Sequence, residues 1–71
     1  MVTDLIDISI NGELREVPSN CCVASLLEWL NIPPDRVAVE LNKVIVRKRD
    51  WAQAAILQGA RIEIVEFVGG G

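Results

Sequence analysis

Apolar and polar positions alternate strictly at both ends of this chain and switch to a helical period between them. In Leu5-Ile6-Asp7-Ile8-Ser9-Ile10 the three isoleucines share one side of an extended segment. Asn11-Gly12 follows and predicts a hairpin, because both residues tolerate positive φ. The return strand runs roughly from Glu13 to Val17. A two-residue turn sets Ile10 opposite Glu13 and Ser9 opposite Leu14, which mixes apolar and polar positions, so the hairpin is predicted and its register is left open. Pro18-Ser19-Asn20 breaks the alternation. Val23, Leu26, Leu27 and Leu30 then recur at i, i+3, i+4, i+7, the spacing of a helix with one buried stripe. Asn20 is the best N-cap by residue type, Trp29 lies beside the stripe, and Pro33-Pro34 forbid continuation beyond about Ile32.

After the prolines, Val37, Val39 and Leu41 alternate along a strand, Asn42-Lys43 makes a turn, and Val44-Ile45-Val46 runs back. Asp50-Trp51-Ala52-Gln53 resembles a capping box opening a short helical segment to about Leu57, which Gly59 ends in the left-handed conformation. The final strand is the most regular. In Arg61-Ile62-Glu63-Ile64-Val65-Glu66-Phe67-Val68 the side of Ile62 and Ile64 opposes that of Val65 and Phe67, as in a strand deep in a sheet.

One helix of about 11 residues against four or five strands is an α+β arrangement with little else available to fill a core. The order of elements is that of the β-grasp, the ubiquitin-like fold: a mixed sheet on one main helix, first and last strands parallel. Residues 1–68 are expected to form this domain and residues 69–71 a flexible glycine tail.

Composition narrows the function. The chain has 71 residues, of which 51% are hydrophobic, enough for a compact core without a metal or disulfide framework. A net charge of −3 argues against general affinity for nucleic acid. The basic run Arg47-Lys48-Arg49 reads as a solvated loop. Met1-Val2-Thr3-Asp4 lacks the marks of a signal peptide, and no apolar run approaches the ~20 residues of a membrane span. Adjacent cysteines, Cys21 and Cys22, cannot staple distant parts of the fold, so reduced thiols and a cytoplasmic location are expected. There is no histidine, which excludes Ser-His or Cys-His nucleophile pairs and His-containing metal sites within the chain. Cys21 and Cys22 are expected to be structural, since free cysteine most often behaves as a small buried hydrophobe.

The candidate chemistry lies in Gly69-Gly70-Gly71. Glycine has no Cβ, so such a thread enters a narrow site where any side chain would clash. Chain ends are usually loose whatever they do, and the tail alone decides nothing.

Over essentially its whole length the chain resembles ThiS, the sulfur carrier family of thiamin biosynthesis. The matching pieces are Ile10-Asn11-Gly12-Glu13, Val23-Ala24-Ser25-Leu26-Leu27, Val37-Ala38-Val39-Glu40-Leu41-Asn42, and Ile45-Val46 leading to Trp51-Ala52. The ending Arg61-Ile62-Glu63-Ile64-Val65 through Phe67-Val68-Gly69-Gly70-Gly71 is the most specific. The chain departs from the family where Arg47-Lys48 replaces a common Pro-Arg. It departs again where Cys22 replaces a common Thr helix cap, and where Gln58 and Ala60 flank Gly59 in place of acidic residues.

The resemblance implies a protein carrier and not an enzyme. An E1-like adenylyltransferase of the ThiF type would adenylate the Gly71 carboxylate. A sulfur donor such as a cysteine desulfurase or persulfide protein would convert it to a thiocarboxylate, and thiazole synthase of the ThiG type would accept the sulfur. ATP and Mg²⁺ would belong to the activating partner, with no cofactor or metal bound by this chain, which is expected to be monomeric when free. Partner recognition is expected on the sheet face away from the helix. Alternation places Ile45, Val65 and Phe67 there among Asp7, Arg15, Glu40 and Glu63, with Val68 beside the tail. Two alternatives share the fold. One is the small subunit of molybdopterin synthase, a sulfur carrier for the molybdenum cofactor; the other is a ubiquitin-like interaction module without tail chemistry.

Overall fold

Strand β1 (Leu5–Ile10) turns at Asn11-Gly12, with φ of 51° and 86°, into β2 (Glu13–Pro18). Positive φ at both central residues matches the right-handed twist of the flanking strands. The structure, a computed structural model, describes residues 4–67. The register is that of the two-residue turn, Ile10 opposite Glu13 and Ser9 opposite Leu14. The mixed pairing is tolerated because β2 is an edge strand, where Val17 is fully buried but Leu14 is 83% exposed.

Helix α1 (Val23–Trp29) is shorter than the apolar spacing predicts, at seven residues. Asn31 takes φ 59°, its N–H bonds Glu28 O at 3.0 Å, and the Ile32 N–H bonds Leu27 O at 2.9 Å. This is a Schellman ending, and it stops the helix before the prolines act. The cap differs from the residue-type expectation as well, and falls where the family resemblance places it. Asn20 sits in the left-handed region at φ 64°, and Cys22 is the N-cap, with Ser25 as its reciprocal partner. The Cys22 N–H donates to Ser25 Oγ at 2.9 Å. An antiparallel bridge ties Cys22 to Ala55, and Val23 N–H to Ala54 O and Ile56 N–H to Cys21 O, both at 3.0 Å, hold the entry extended. Long-range pairing therefore fixes the helix start against the residue-type preference.

A 3-10 turn, Pro34–Arg36, leads into β3 (Val37–Leu41), which pairs with β4 (Val44–Val46) across Asn42 and Lys43. The second helical segment is a 3-10 turn from Lys48 to Gln53, not a capped helix from Asp50 to Leu57. Trp51 sets its position: the indole is 5% exposed and its Nε1–H donates to Val46 O at 2.9 Å. Burying that ring, with its one donor satisfied, outweighs continuation toward Leu57, which is exposed. Gly59 has φ 82° as expected. Strand β5 (Arg61–Glu66) completes the sheet.

The sheet order is β2-β1-β5-β3-β4, with β1 and β5 parallel and every other pair antiparallel. One helix covers one face. The core between them holds Ile8, Ile10, Val17, Val23, Leu26, Leu27, Val37, Val39, Ile56 and Ile62 around Trp51. Each such aliphatic side chain contributes about 1.5–3 kcal/mol of transfer free energy.

Candidate functional site

The end of β5 is built by two hydrogen-bonding sides with a two-residue period. Arg61 and Phe67 face β3: the Asn42 N–H donates to Arg61 O at 2.7 Å, and the Phe67 N–H to Arg36 O at 2.7 Å. Ile62 and Ile64 face β1. The Asn11 N–H donates to Ile62 O at 2.9 Å, the Ile64 N–H to Asn11 Oδ1 at 2.8 Å, and Asn11 Nδ2–H to Ile64 O at 3.2 Å. Backbone pairing of β1 with β5 reaches only Ile10 and Ile62. Beyond it the Asn11 side chain takes the place of the departed strand. Asn42 acts similarly on the opposite side, its Oδ1 accepting the Arg61 N–H at 2.9 Å. These side-chain roles were not read from sequence, where each asparagine registers only as a turn former.

The side-chain face opposite the helix carries Ile45, Val65 and Phe67, which are 69%, 59% and 56% exposed. Register places Val65 opposite Ala38, and Glu40 between Ile45 on one side and Glu63 on the other. The apolar residues are therefore interleaved with two facing carboxylates, and like charges directly opposite cost stability. Neither glutamate takes part in an ion pair among the described residues, where the one salt bridge is Lys48 Nζ to Asp35 Oδ1 at 2.7 Å. That contact holds the exposed Asp35 carboxyl below its usual range. Asp7 lies on the outer face opposite Glu16. Arg15 does not: it pairs with Ile8 and so belongs to the helix side, at the open margin of β2. Val68, Gly69, Gly70 and Gly71 lie outside the described residues.

Cys21 and Cys22 line a separate open depression of about 390 Å³ with Gln53, Ala55 and Leu57. It is built by elements that contribute nothing to the end of β5. Burial pushes the Cys21 thiol up, with the neighbouring Cys22 adding to the effect. Hydrogen bonds from Ser25 to its sulfur pull Cys22 down. No group of three or more metal-ligating side chains occurs among the described residues, and none of their helices is long and apolar enough to cross a membrane.

Fold and surface together define a ubiquitin-like domain whose last strand leads into a glycine run. The chain belongs to the ThiS family, whose model matches residues 8–71, and has the β-grasp fold. A crystal structure of the thiamine biosynthesis protein ThiS from Geobacter metallireducens superposes with a TM-score of 0.81 at 26% identity, covering 93% of this chain and 100% of that one. Among curated relatives, a thiazole synthase of Paramagnetospirillum magneticum is 45% identical over 87% of this chain. The chain spans 19% of that protein's length, and 20% of a second thiazole synthase, from Magnetococcus marinus, that is 34% identical. An uncharacterized protein, ycf40 of Porphyra purpurea, is 33% identical over the full length of both chains.

Proposed function

We propose that this chain carries sulfur as a thiocarboxylate on Gly71, in a mature form that ends there, and delivers it to a thiazole synthase. The supporting observation is that the family match runs through the glycine residues and not only over the folded domain. A carboxylate is a poor electrophile, since charge and resonance shield its carbon. An E1-like adenylyltransferase would bind ATP and Mg²⁺ and let the Gly71 carboxylate attack the α-phosphorus, forming an acyl-adenylate and releasing pyrophosphate. The terminal sulfur of a persulfide donor would then displace AMP to give an acyl disulfide. A second thiol would cleave its S–S bond and leave the thiocarboxylate.

Two long thiazole synthases each contain a region similar to this chain, which favours a thiazole synthase as acceptor over a pterin-processing enzyme. In this scheme the chain supplies the reactive end and a docking face of Ile45, Val65, Phe67 and Val68. The acids, bases and cofactors belong to its cytoplasmic partners, and the chain is not itself an enzyme.

The test is incubation with an E1-like adenylyltransferase, ATP and a persulfide donor, followed by mass spectrometry of the C-terminal peptide. Replacement of one oxygen by sulfur is expected on Gly69-Gly70-Gly71. An unmodified tail, with sulfur found instead on the peptide of Cys21 and Cys22, would refute the proposal.

A further inference from the structure

A polar depression of about 310 Å³ opens where β5 begins, lined by Asn42, Lys43, Gly59 and Arg61. The fold itself assembles it. The Asn42 N–H donates to Arg61 O at 2.7 Å and its Oδ1 accepts the Arg61 N–H at 2.9 Å, which locks the turn between β3 and β4 onto the start of β5. The carboxamide oxygen is thereby used, and its Nδ2 remains with two hydrogens to donate. Lys43 and Arg61 stand exposed beside it. No carboxylate lines the depression, and the one salt bridge among the described residues, Lys48 with Asp35, involves neither cation. A Cβ added at Gly59 would meet nothing within 4 Å, so bare backbone forms that wall.

Lys43 holds a conformation that does not suit it. At φ 71° an L side chain crowds the following carbonyl, whereas glycine takes this conformation freely. An ammonium nevertheless stands at that position, at a cost in stability, and backbone strain at a polar depression points to function. The donor set says what the depression suits. A guanidinium forks two oxygens, an ammonium meets a third as a point charge, and an amide adds a neutral donor. Donors without a single competing carboxylate fit an oxyanion.

We propose that Asn42, Lys43 and Arg61 form a binding site for an oxyanion of the phosphate class, free or as a monoester on a larger molecule. The site is separate from the sulfur chemistry. Arg61 and Glu66 are the two ends of β5, about 17 Å apart at ~3.3 Å per residue, and the depression lies at the Arg61 end. The proposal stands whether or not Gly71 carries sulfur. Because the site is open to water, its Kd is on the order of 1 mM and rises with salt.

Titration of the ¹⁵N-labelled chain with inorganic phosphate, at an ionic strength held constant with sodium chloride, tests this. Saturable shifts are expected at the amides of Asn42, Lys43, Gly59 and Arg61. A second arm uses O-phosphoserine: tighter binding than inorganic phosphate assigns the monoester, and equal or weaker binding assigns the free anion. Lys43→Gln keeps the strained turn and removes the charge, so its Kd should rise about tenfold, the size of one lost charge-assisted hydrogen bond, at an unchanged urea midpoint. Arg61→Gln should weaken binding at least as much. Lys43→Gly should lose binding as Lys43→Gln does while its urea midpoint rises. Binding and stability then move in opposite directions, which a purely structural role for Lys43 does not produce.

Shifts that grow without saturating would overturn the proposal. So would shifts centred on Arg47, Lys48 and Arg49, or wild-type affinity in Lys43→Gln.

Discussion

The Asn11 carboxamide serves Ile64 as a surrogate strand residue, accepting its N–H at 2.8 Å and donating to its carbonyl at 3.2 Å. One side chain at a hairpin turn thus extends the parallel pairing of β1 and β5 by a step that the β1 backbone does not take. Asn42 accepts the Arg61 N–H from the other flank, so the central strand is held by two turn residues whose own backbones adopt positive φ.

Asn11→Gly isolates this role, since glycine accepts φ 51° without strain and removes only the amide. Loss of the two hydrogen bonds is expected to destabilise by about 1–2 kcal/mol. The urea midpoint should fall at constant m-value, and exchange of the Ile64 amide hydrogen should speed up more than that of Ile62. Equal protection of Ile64 in the variant and wild type would show that the clamp is dispensable.

Lys43 is the reverse case. It holds φ 71° at the second position of the Asn42-Lys43 turn, where an L side chain crowds the following carbonyl. Lys43→Gly should relieve that strain. Glycine's greater freedom in the unfolded chain offsets part of the gain, leaving a net stabilisation of about 0.5–1 kcal/mol. A thermal midpoint that fails to rise would contradict it.

Phe67 is 56% exposed, on the face that α1 leaves open. A fully buried phenylalanine would cost about 3–5 kcal/mol on truncation. Phe67→Ala should cost less than about 1 kcal/mol, as surface substitutions do, while weakening capture by the activating enzyme. A denaturant midpoint far below wild type, or an unchanged KM, would remove Phe67 from the docking face.

Much of this architecture is legible in residue order, and the exceptions share a cause. Alternation along Ile62, Ile64, Val65 and Phe67 gives both faces of β5 because a strand's period is a local property. It also places Ile45, Glu40 and Glu63 correctly on the outer face. Arg15 is misplaced because its face depends on the turn between β1 and β2, whose register the mixed pattern leaves open. The helix ends early because Asn31 turns left-handed while Leu30 still keeps the apolar spacing, a backbone event that periodicity does not report. Cys22 displaces Asn20 as the cap because Ala54 and Ile56, more than thirty residues away, pair with the segment before the helix. The Asn11 clamp spans 53 positions and has no signature beyond an asparagine before a glycine.

The two cysteines and the glycine tail make separable predictions about where sulfur goes. The Ser25 bonds pull the Cys22 thiol below its ordinary range and burial pushes Cys21 above it. At neutral pH the thiolate fraction is then larger on Cys22, and iodoacetamide should label Cys22 first, with Cys21 following only as the pH is raised. A sulfur donor that worked through thiols of this chain would therefore act at Cys22. Replacing both cysteines by serine should nevertheless leave thiocarboxylation of the tail at its wild-type rate, because adenylation requires a carboxylate and not a thiol. Deleting Gly71 should abolish it although Gly70 would still end in a carboxylate. The thread is then one residue short, about 3.3–3.6 Å of reach, and the carboxylate cannot come into line with the α-phosphorus. C-terminal peptide mass spectrometry of the three chains decides between the routes: a normally modified deletion variant, or an unmodified double-serine variant, would mean that Gly71 is not where the sulfur is carried.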